Sequence, residues 1–282
     1  MQQLEKTSNW TNPPYFKYLQ DSPITYILNH MNQIKYCKTT PITDPIASYN
    51  SAINERPSND NNISGNRKKR SIGEHTKYWQ VGKTLKILVF SYNEESFEAI
   101  KKGASKWLPY VNLKFDFIEM DEEDIYQSDQ FLGDIRVDFQ PYMNGSGGSR
   151  IGTDTITGNP QASSMTLGTD FSSPRYEYAV THEFGHALGL LHEHQHPETE
   201  VPWDLDKTYT YYASLGFSRT EVDHNVLPLE RIPGRTYAPY DRHSIMHYEV
   251  SNDITTGDWH QAENHQISQG DIAFMRRTYP ES

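Results

Sequence analysis

A single cysteine, Cys37, is the only thiol in 282 residues, so no disulfide can form within the chain. Long apolar runs are missing too. No stretch of about 18 apolar residues occurs, which excludes a membrane-spanning helix and a membrane partner engaged that way. The opening residues Met1-Gln2-Gln3-Leu4-Glu5 have neither the basic start nor the apolar core of a signal peptide. That leaves either a cytoplasmic protein or one whose signal segment has been removed. Basic residues are outnumbered, 26 Lys+Arg against 37 Asp+Glu, for a net charge of −11. The deficit is uneven: residues 1–70 hold 9 basic against 5 acidic side chains, and residues 71–282 hold 17 against 32. An acidic body of this kind argues against nucleic acid as a partner, whereas a basic leader is attracted to it. No internal repeat is visible.

Histidine is concentrated in one run, His182-Glu183-Phe184-Gly185-His186-Ala187-Leu188-Gly189-Leu190-Leu191-His192-Glu193, of the form H-E-x-x-H-x-x-G-x-x-H-E. On an α-helix, residues four apart lie about 40° apart around the axis, so His182 and His186 can reach one metal ion from the same face. A continuing helix would carry His192 roughly 15 Å along the axis from His182, far beyond a zinc–nitrogen bond of about 2 Å. The chain must turn back, and Gly189 is the residue able to take the positive φ of a helix stop. Glu183, next to the first ligand, can face the open side of the metal and serve as general base to water.

Elsewhere the patterning is that of an α+β domain. Leu85, Ile87 and Val89 suggest a strand, as do the alternations Val111 to Phe117 and Ile135 to Phe139. Asn93 is placed to cap a helix with Phe97, Ile100, Ala104 and Trp107 on one face. Residues 144–158 read as a Gly-rich loop, Ser163–Leu167 as an edge strand, and Ser173-Pro174 as the cap and first turn of the helix bearing His182. After Pro197 the chain reads as irregular up to a terminal helix over Gln269–Thr278. Residues 48–66, dense in Asn and Ser, read as a flexible linker ending in the basic run Arg67-Lys68-Lys69-Arg70. Its place before a patterned domain reads as a processing site for a trypsin-like protease, with a solvated charge cluster or nucleic-acid patch as the alternative.

Residues 71–282 resemble the astacin family of metzincin zinc endopeptidases. The resemblance is carried by the extended histidine motif with Glu193 after its third His. A second element is Tyr240-Asp241-Arg242-His243-Ser244-Ile245-Met246-His247-Tyr248, similar to the family's methionine turn. Ile267-Ser268-Gln269-Gly270-Asp271-Ile272 with Tyr279 is similar to its closing helix, and Ile72-Gly73 with Tyr78-Trp79 to its mature amino terminus. The segment from Ser149-Arg150-Ile151-Gly152 to Gln161 resembles the edge-strand region that pairs with extended substrate in the family. The resemblance implies a twisted, mostly parallel sheet with two long helices as an upper half, an irregular lower half after His192, and a cleft between them.

Its further implications concern the site and the cofactor. One catalytic zinc is held by His182, His186 and His192. Met246 lies beneath the metal, and Tyr248 is a displaceable additional ligand of the active form and a donor to the oxyanion. Glu193 anchors the amino terminus made by cleavage near Arg70 and Ser71. Typical animal members carry two disulfides that this chain cannot form, and they usually show Q-S-R where it has His194-Gln195-His196; bacterial members are the nearer comparison. The family's latency motif F-x-G-D occurs here as Phe131-Leu132-Gly133-Asp134 inside the catalytic domain, where Asp134 reads as part of the sheet.

The expectation is therefore a secreted zinc endopeptidase acting on protein or peptide substrates, with residues 1–70 as an inhibitory propeptide and residues 71–282 as the catalytic domain. An activating protease would cut near Arg70. Cys37 is assigned as the metal's fourth ligand in the latent form, because zinc binds thiolate well and flanking Lys35 and Lys38 would lower the thiol pKa. The alternatives are a steric or carboxylate block, a serralysin-like metzincin, or a non-catalytic binding protein on a peptidase fold. His194 and His196 read as surface groups, His247 as structural, and Trp79 and Trp107 as core or cleft lining.

Overall fold

The computed structural model describes residues 37–40, 42–60, 75–90, 93–120, 122–231 and 237–281. The basic run 67–70, the expected cleavage point at Arg70 and Ser71, the Ile72-Gly73 pair and Lys35 lie outside the described residues.

The leader contributes strand β1 (Lys38–Thr39) and helix α1 (Pro45–Glu55), followed by a 3₁₀ turn over Pro57–Asn59. Next come β2 (Thr84–Val89), α2 (Glu94–Ala104), β3 (Lys114–Ile118), α3 (Glu122–Gln127) and β4 (Ile135–Phe139). Strands β5 (Gly147–Ser149) and β6 (Met165–Leu167) precede helix α4 (Tyr176–Ala187). Beyond His192 lie α5 (Leu205–Ser214), α6 (Arg219–Asn225) and α7 (Gln269–Thr278).

These elements form a six-stranded sheet in the order β1-β5-β6-β4-β2-β3. Every pairing is parallel except β5 with β6. Leu85, Ile87, Val89, Ile135 and Val137 meet Ile100, Ala104 and Trp107 of the α2 region and Val180, Phe184 and Ala187 of α4 in one core. A second core of Val201, Tyr212, Phe217, Val222, Val226, Val250 and Ile254 forms the lower half, so the α+β class and the two-part body agree with the sequence reading. Asn93 caps α2 as expected, its side chain accepting from Ser96 N while Ser96 Oγ accepts from Asn93 N. Asp134 belongs to the sheet, accepting from Lys86 N at 2.8 Å and pairing with Lys83 at 3.0 Å.

Five local readings need correction. Residues 147–149 are a strand, not loop, paired with β1 on one side and β6 on the other. Met165–Leu167 is internal rather than an edge: Met165 and Leu167 are buried between β5 and β4. Helix α4 begins at Tyr176, after a turn through Ser173 and Pro174, and its cap position Arg175 makes no side-chain cap bond. The stretch after Pro197 holds α5 and α6; the latter opens with a Ser218–Glu221 capping box, a signature present in the sequence. Finally, residues 48–60 are no flexible linker. Asp44 caps α1 with Pro45 at its first position, and Ser48, Ala52 and Asn59 are buried against the body.

Candidate active site

Helix α4 is buried on all sides except at Glu177, so its polar groups must find partners inside the protein. Its C-terminal end is closed by a Schellman pair, with Leu190 N donating to Gly185 O at 3.0 Å and Gly189 N to His186 O at 2.8 Å. Gly189 takes φ +101, the left-handed value that the turn-back requires. Three aromatic side chains satisfy further carbonyls here: Trp107 Nε1 donates to Thr181 O, Trp79 Nε1 to Ala187 O and Tyr279 hydroxyl to Leu188 O, each at 2.8 Å.

The turn brings His192 back onto the helix face. His186 Nε2 and His192 Nε2 stand 3.0 Å apart, and the His182 and His186 rings 4.9 Å centre to centre. His182 Nδ1 bonds Ile245 O at 2.8 Å and His186 Nδ1 bonds Leu190 O at 2.9 Å. A carbonyl can only accept, so each Nδ1 carries the proton and each Nε2 presents a lone pair. Burial pushes His182 down to about 4 and His186 to about 3, and His192 well below its ordinary value, keeping all three imidazoles neutral as metal ligation demands.

Cys37 completes the group. One ligand atom from each of Cys37, His182, His186 and His192 lies within 4.8 Å of the others, and all four residues are buried. Three neutral imidazoles and one sulfur are a donor set suited to tetrahedral zinc, and the buried His182 Nε2 has no hydrogen-bond partner. The residues present therefore fit the ion.

Lys38 does not face the thiol as expected. Lys38 Nζ lies 3.7 Å from Glu221 and 4.1 Å from the Phe217 ring centre, so its charge points away towards the lower half. Burial, reinforced by the Glu183 charge, instead pushes the Cys37 thiol up. The favourable charge for a thiolate would come from a cation among the ring nitrogens.

Glu183 lies 3.2 Å from Cys37 Sγ through Oε2, and burial pushes its carboxyl up to about 8. Tyr248 is buried and donates to the Cys37 carbonyl. Its ring stacks on His194, 4.1 Å between centres with a 22° tilt. His194 is therefore not a surface group: it is fully buried, and its Nε2 meets Asn225 O at 3.2 Å. His196 is half-buried with Nε2 2.9 Å from Ala238 O. No spacing rule marks His194, whose place is set by the fold of the lower half.

The methionine turn, residues 244–248, packs against the helix that carries His182 and His186. A Cβ on Gly185 would stand 2.5 Å from Met246 Sδ, which places the thioether against the centre of the motif. Asp271 of α7 holds this turn, accepting from Ser244 Oγ at 2.6 Å and Ile245 N at 2.9 Å. His247 is buried between the Tyr248 carbonyl and the Tyr240 hydroxyl, both at 2.7 Å. Glu193 accepts from Asp241 N at 2.8 Å, and burial with neighbouring Asp271 and Asp241 raises its carboxyl to about 8. Beside the ligands opens a cavity of about 240 Å³, bounded by Glu183, Gly147, Tyr178, Tyr211 and the Arg175–Glu263 ion pair. The sequence reading missed this pair, whose members stand 88 residues apart.

Comparison with known proteins agrees with this geometry. No family model matches the chain. It is 27% identical over 191 residues to zinc metalloproteinase nas-38 of Caenorhabditis elegans, and 32% identical over 85 residues to zinc metalloproteinase nas-26 of the same organism. Those stretches are 65% and 29% of this chain, which spans only about a fifth of the length of either relative (22% and 20%). One solved structure of myroilysin is 31% identical with a TM-score of 0.64, covering 73% of this chain and 97% of that one. A second myroilysin structure is 26% identical with a TM-score of 0.59, covering 93% and 98%. A relative 31% identical and covered over 97% of its length, together with the zinc metalloproteinases above, shows the family: the chain belongs to the astacin family of metzincin zinc endopeptidases.

Proposed function

We propose that this protein is a secreted zinc endopeptidase in its latent form, cutting peptide bonds once its leader has been removed. The observation that carries the proposal is the convergence of His182, His186, His192 and Cys37 on one point with Glu183 beside it. A zinc ion held there would polarise a scissile carbonyl and make water acidic enough to lose a proton near neutral pH. Glu183 accepts that proton and passes it to the leaving amine nitrogen. Tyr248, once freed from the Cys37 carbonyl, donates to the oxyanion that develops on the substrate. In the latent form Cys37 would hold the ion together with the three histidines, and its sulfur faces Glu183, so one side chain would obstruct both metal and base. Residues 1–70 are the propeptide and 71–282 the catalytic domain, with the activating cut at Arg70–Ser71. Glu193, a largely buried acid with no ion pair to Lys, Arg or His among the described residues, is the anchor for the new amino terminus.

Zinc-edge X-ray absorption on the intact, unreduced chain tests the latent site. A sulfur neighbour at about 2.3 Å is expected, and no thiol other than Cys37 exists to supply it. A shell of nitrogen and oxygen alone would remove the thiolate block and leave a steric or carboxylate one. Chelation should abolish hydrolysis by the activated protein and zinc should restore it; activity that survives chelation would sink the metallopeptidase reading. Tyr248→Phe should lower kcat about 10²-fold with KM little changed, the usual scale for one oxyanion donor. An unchanged kcat would refute that role.

A further inference from the structure

The described residues of the leader touch the body in two separate places. One is the cleft, where Cys37 sits and β1 pairs with β5. The other lies beneath α1 and the following 3₁₀ turn, on residues 75–83, 153–154 and 278, none of which lines the cavity beside the metal ligands.

This second contact is a network of hydrogen-bonded polar groups in which Ser48, Asn59, His75 and Asp154 are buried and Ser51, Glu55 and Arg56 partly covered. Ser48, fully buried, donates to Asp154 Oδ1 at 2.5 Å and lies 3.2 Å from His75 Nε2. Ser51 Oγ donates to Thr153 O at 3.0 Å, and Arg56 Nη1 to Thr278 O at 3.0 Å. Glu55 accepts from Lys83 Nζ at 2.7 Å and from Gln80 N at 3.1 Å. Asn59 is the centre of the contact. Its amide nitrogen donates to Ala52 O and Tyr78 O at 2.9 and 2.8 Å, while its amide oxygen accepts from Tyr78 N at 3.1 Å and Thr76 Oγ1 at 2.9 Å. Both donors and both lone pairs of the amide are used. Thr76 N donates to Asn59 O at 3.0 Å, and Asp60 bridges His75 as an antiparallel pair.

Apart from the Asn59–Ala52 bond inside the leader, every one of these bonds joins residues on either side of segment 61–74, and none involves a residue within it. A cut anywhere in that segment, including the basic run at 67–70, breaks covalent continuity and leaves each bond in place. Once a chain is cut, its halves part only if they can shed their mutual contacts, and buried polar groups resist losing partners. We propose that residues 44–60 form a docking element whose partner is the surface around Tyr78 and Asp154. Cleavage near Arg70 then yields a two-chain protein that retains its leader, and release requires a second event acting on residues 44–60. The retention of the leader stands on the contacts above; that the retained leader still blocks the site rests on the latency reading.

The test uses the full chain with residues 67–70 replaced by the recognition sequence of a site-specific protease. After complete cutting, verified by denaturing mass spectrometry, native mass spectrometry and size exclusion read whether the leader stays bound. Leader and body are expected to travel together at the mass of the intact chain. Ser48→Ala with Asn59→Ala, checked for folding before the cut, should lower the retained fraction at least tenfold. Cys37→Ser should leave the leader attached. Separation of the leader on cutting would overturn the proposal, as would its loss through Cys37→Ser alone or its retention by the Ser48/Asn59 variant. Retention is read by mass, so it is judged even if no peptide is hydrolysed, an outcome that would count against the peptidase reading instead.

Discussion

Exchange of Glu183 for glutamine is expected to lower kcat/KM of the activated protein by about 10²–10⁴, the range for loss of a general base, with zinc content unchanged. The side chain lies against the edge strand: a Cβ on Gly147 would come within 2.5 Å of Glu183 Oε1. A carboxylate pinned between Gly147 and the metal ligands has little freedom to be replaced in its role by another acid. Glutamine fills the same space and keeps hydrogen-bonding capacity, yet accepts no proton at neutral pH. Alanine would also remove the base, but it would open a void beside β5 and mix a packing effect into the result. Two of the three imidazoles, His182 and His186, are fixed by their own bonds to Ile245 O and Leu190 O, neither of which involves residue 183, so metal retention is expected not to depend on it. Turnover within a few-fold of the parent, at equal zinc content, would remove the general-base assignment.

What the sequence disclosed follows the range of the interactions involved. The histidine motif is local: a helix, a glycine stop and a return within eleven residues, all governed by spacing, and Gly189 adopts the conformation that spacing demands. Strands β2 and β4 were readable because one continuous apolar alternation fills each. Helices α5 and α6 were not read, although Asp204 and the Ser218–Glu221 box mark their starts, because the residues between are mixed and each helix buries only a narrow face. Helix α1 failed for a different reason. Its Ser and Asn content suggested a linker, but Ser48 and Asn59 are buried because polar partners await them on the body, information carried by Asp154 and Tyr78 far along the chain. The stack of His194 on Tyr248 and the Arg175–Glu263 pair are likewise products of tertiary folding, beyond any pattern of spacing.

Cys37→Ser in the intact, uncut chain should raise peptide hydrolysis on the order of 10²-fold. Losing a charged contact is worth up to about 3 kcal/mol, and 1.4 kcal/mol is tenfold in an equilibrium. The increase should stop short of the fully activated rate, because the sulfur is only part of what places the leader. Strand β1 remains paired with β5, Lys38 remains on Glu221 and Phe217, and the Tyr248 hydroxyl still has the backbone carbonyl of residue 37 to hold. That carbonyl belongs to the main chain and survives the substitution, so the oxyanion donor stays engaged whenever the leader is seated. The serine hydroxyl is a poor zinc ligand near neutral pH and leaves the fourth position open to exchange, so substrate competes with a leader weakened at one of its points. Activity of the intact variant should therefore rise again on proteolytic removal of the leader, by a smaller factor than for the parent. Steady-state rates before and after removal, on both proteins, give the two ratios. Equal ratios would mean that Cys37 contributes nothing to latency, and the block would then lie in the strand pairing alone.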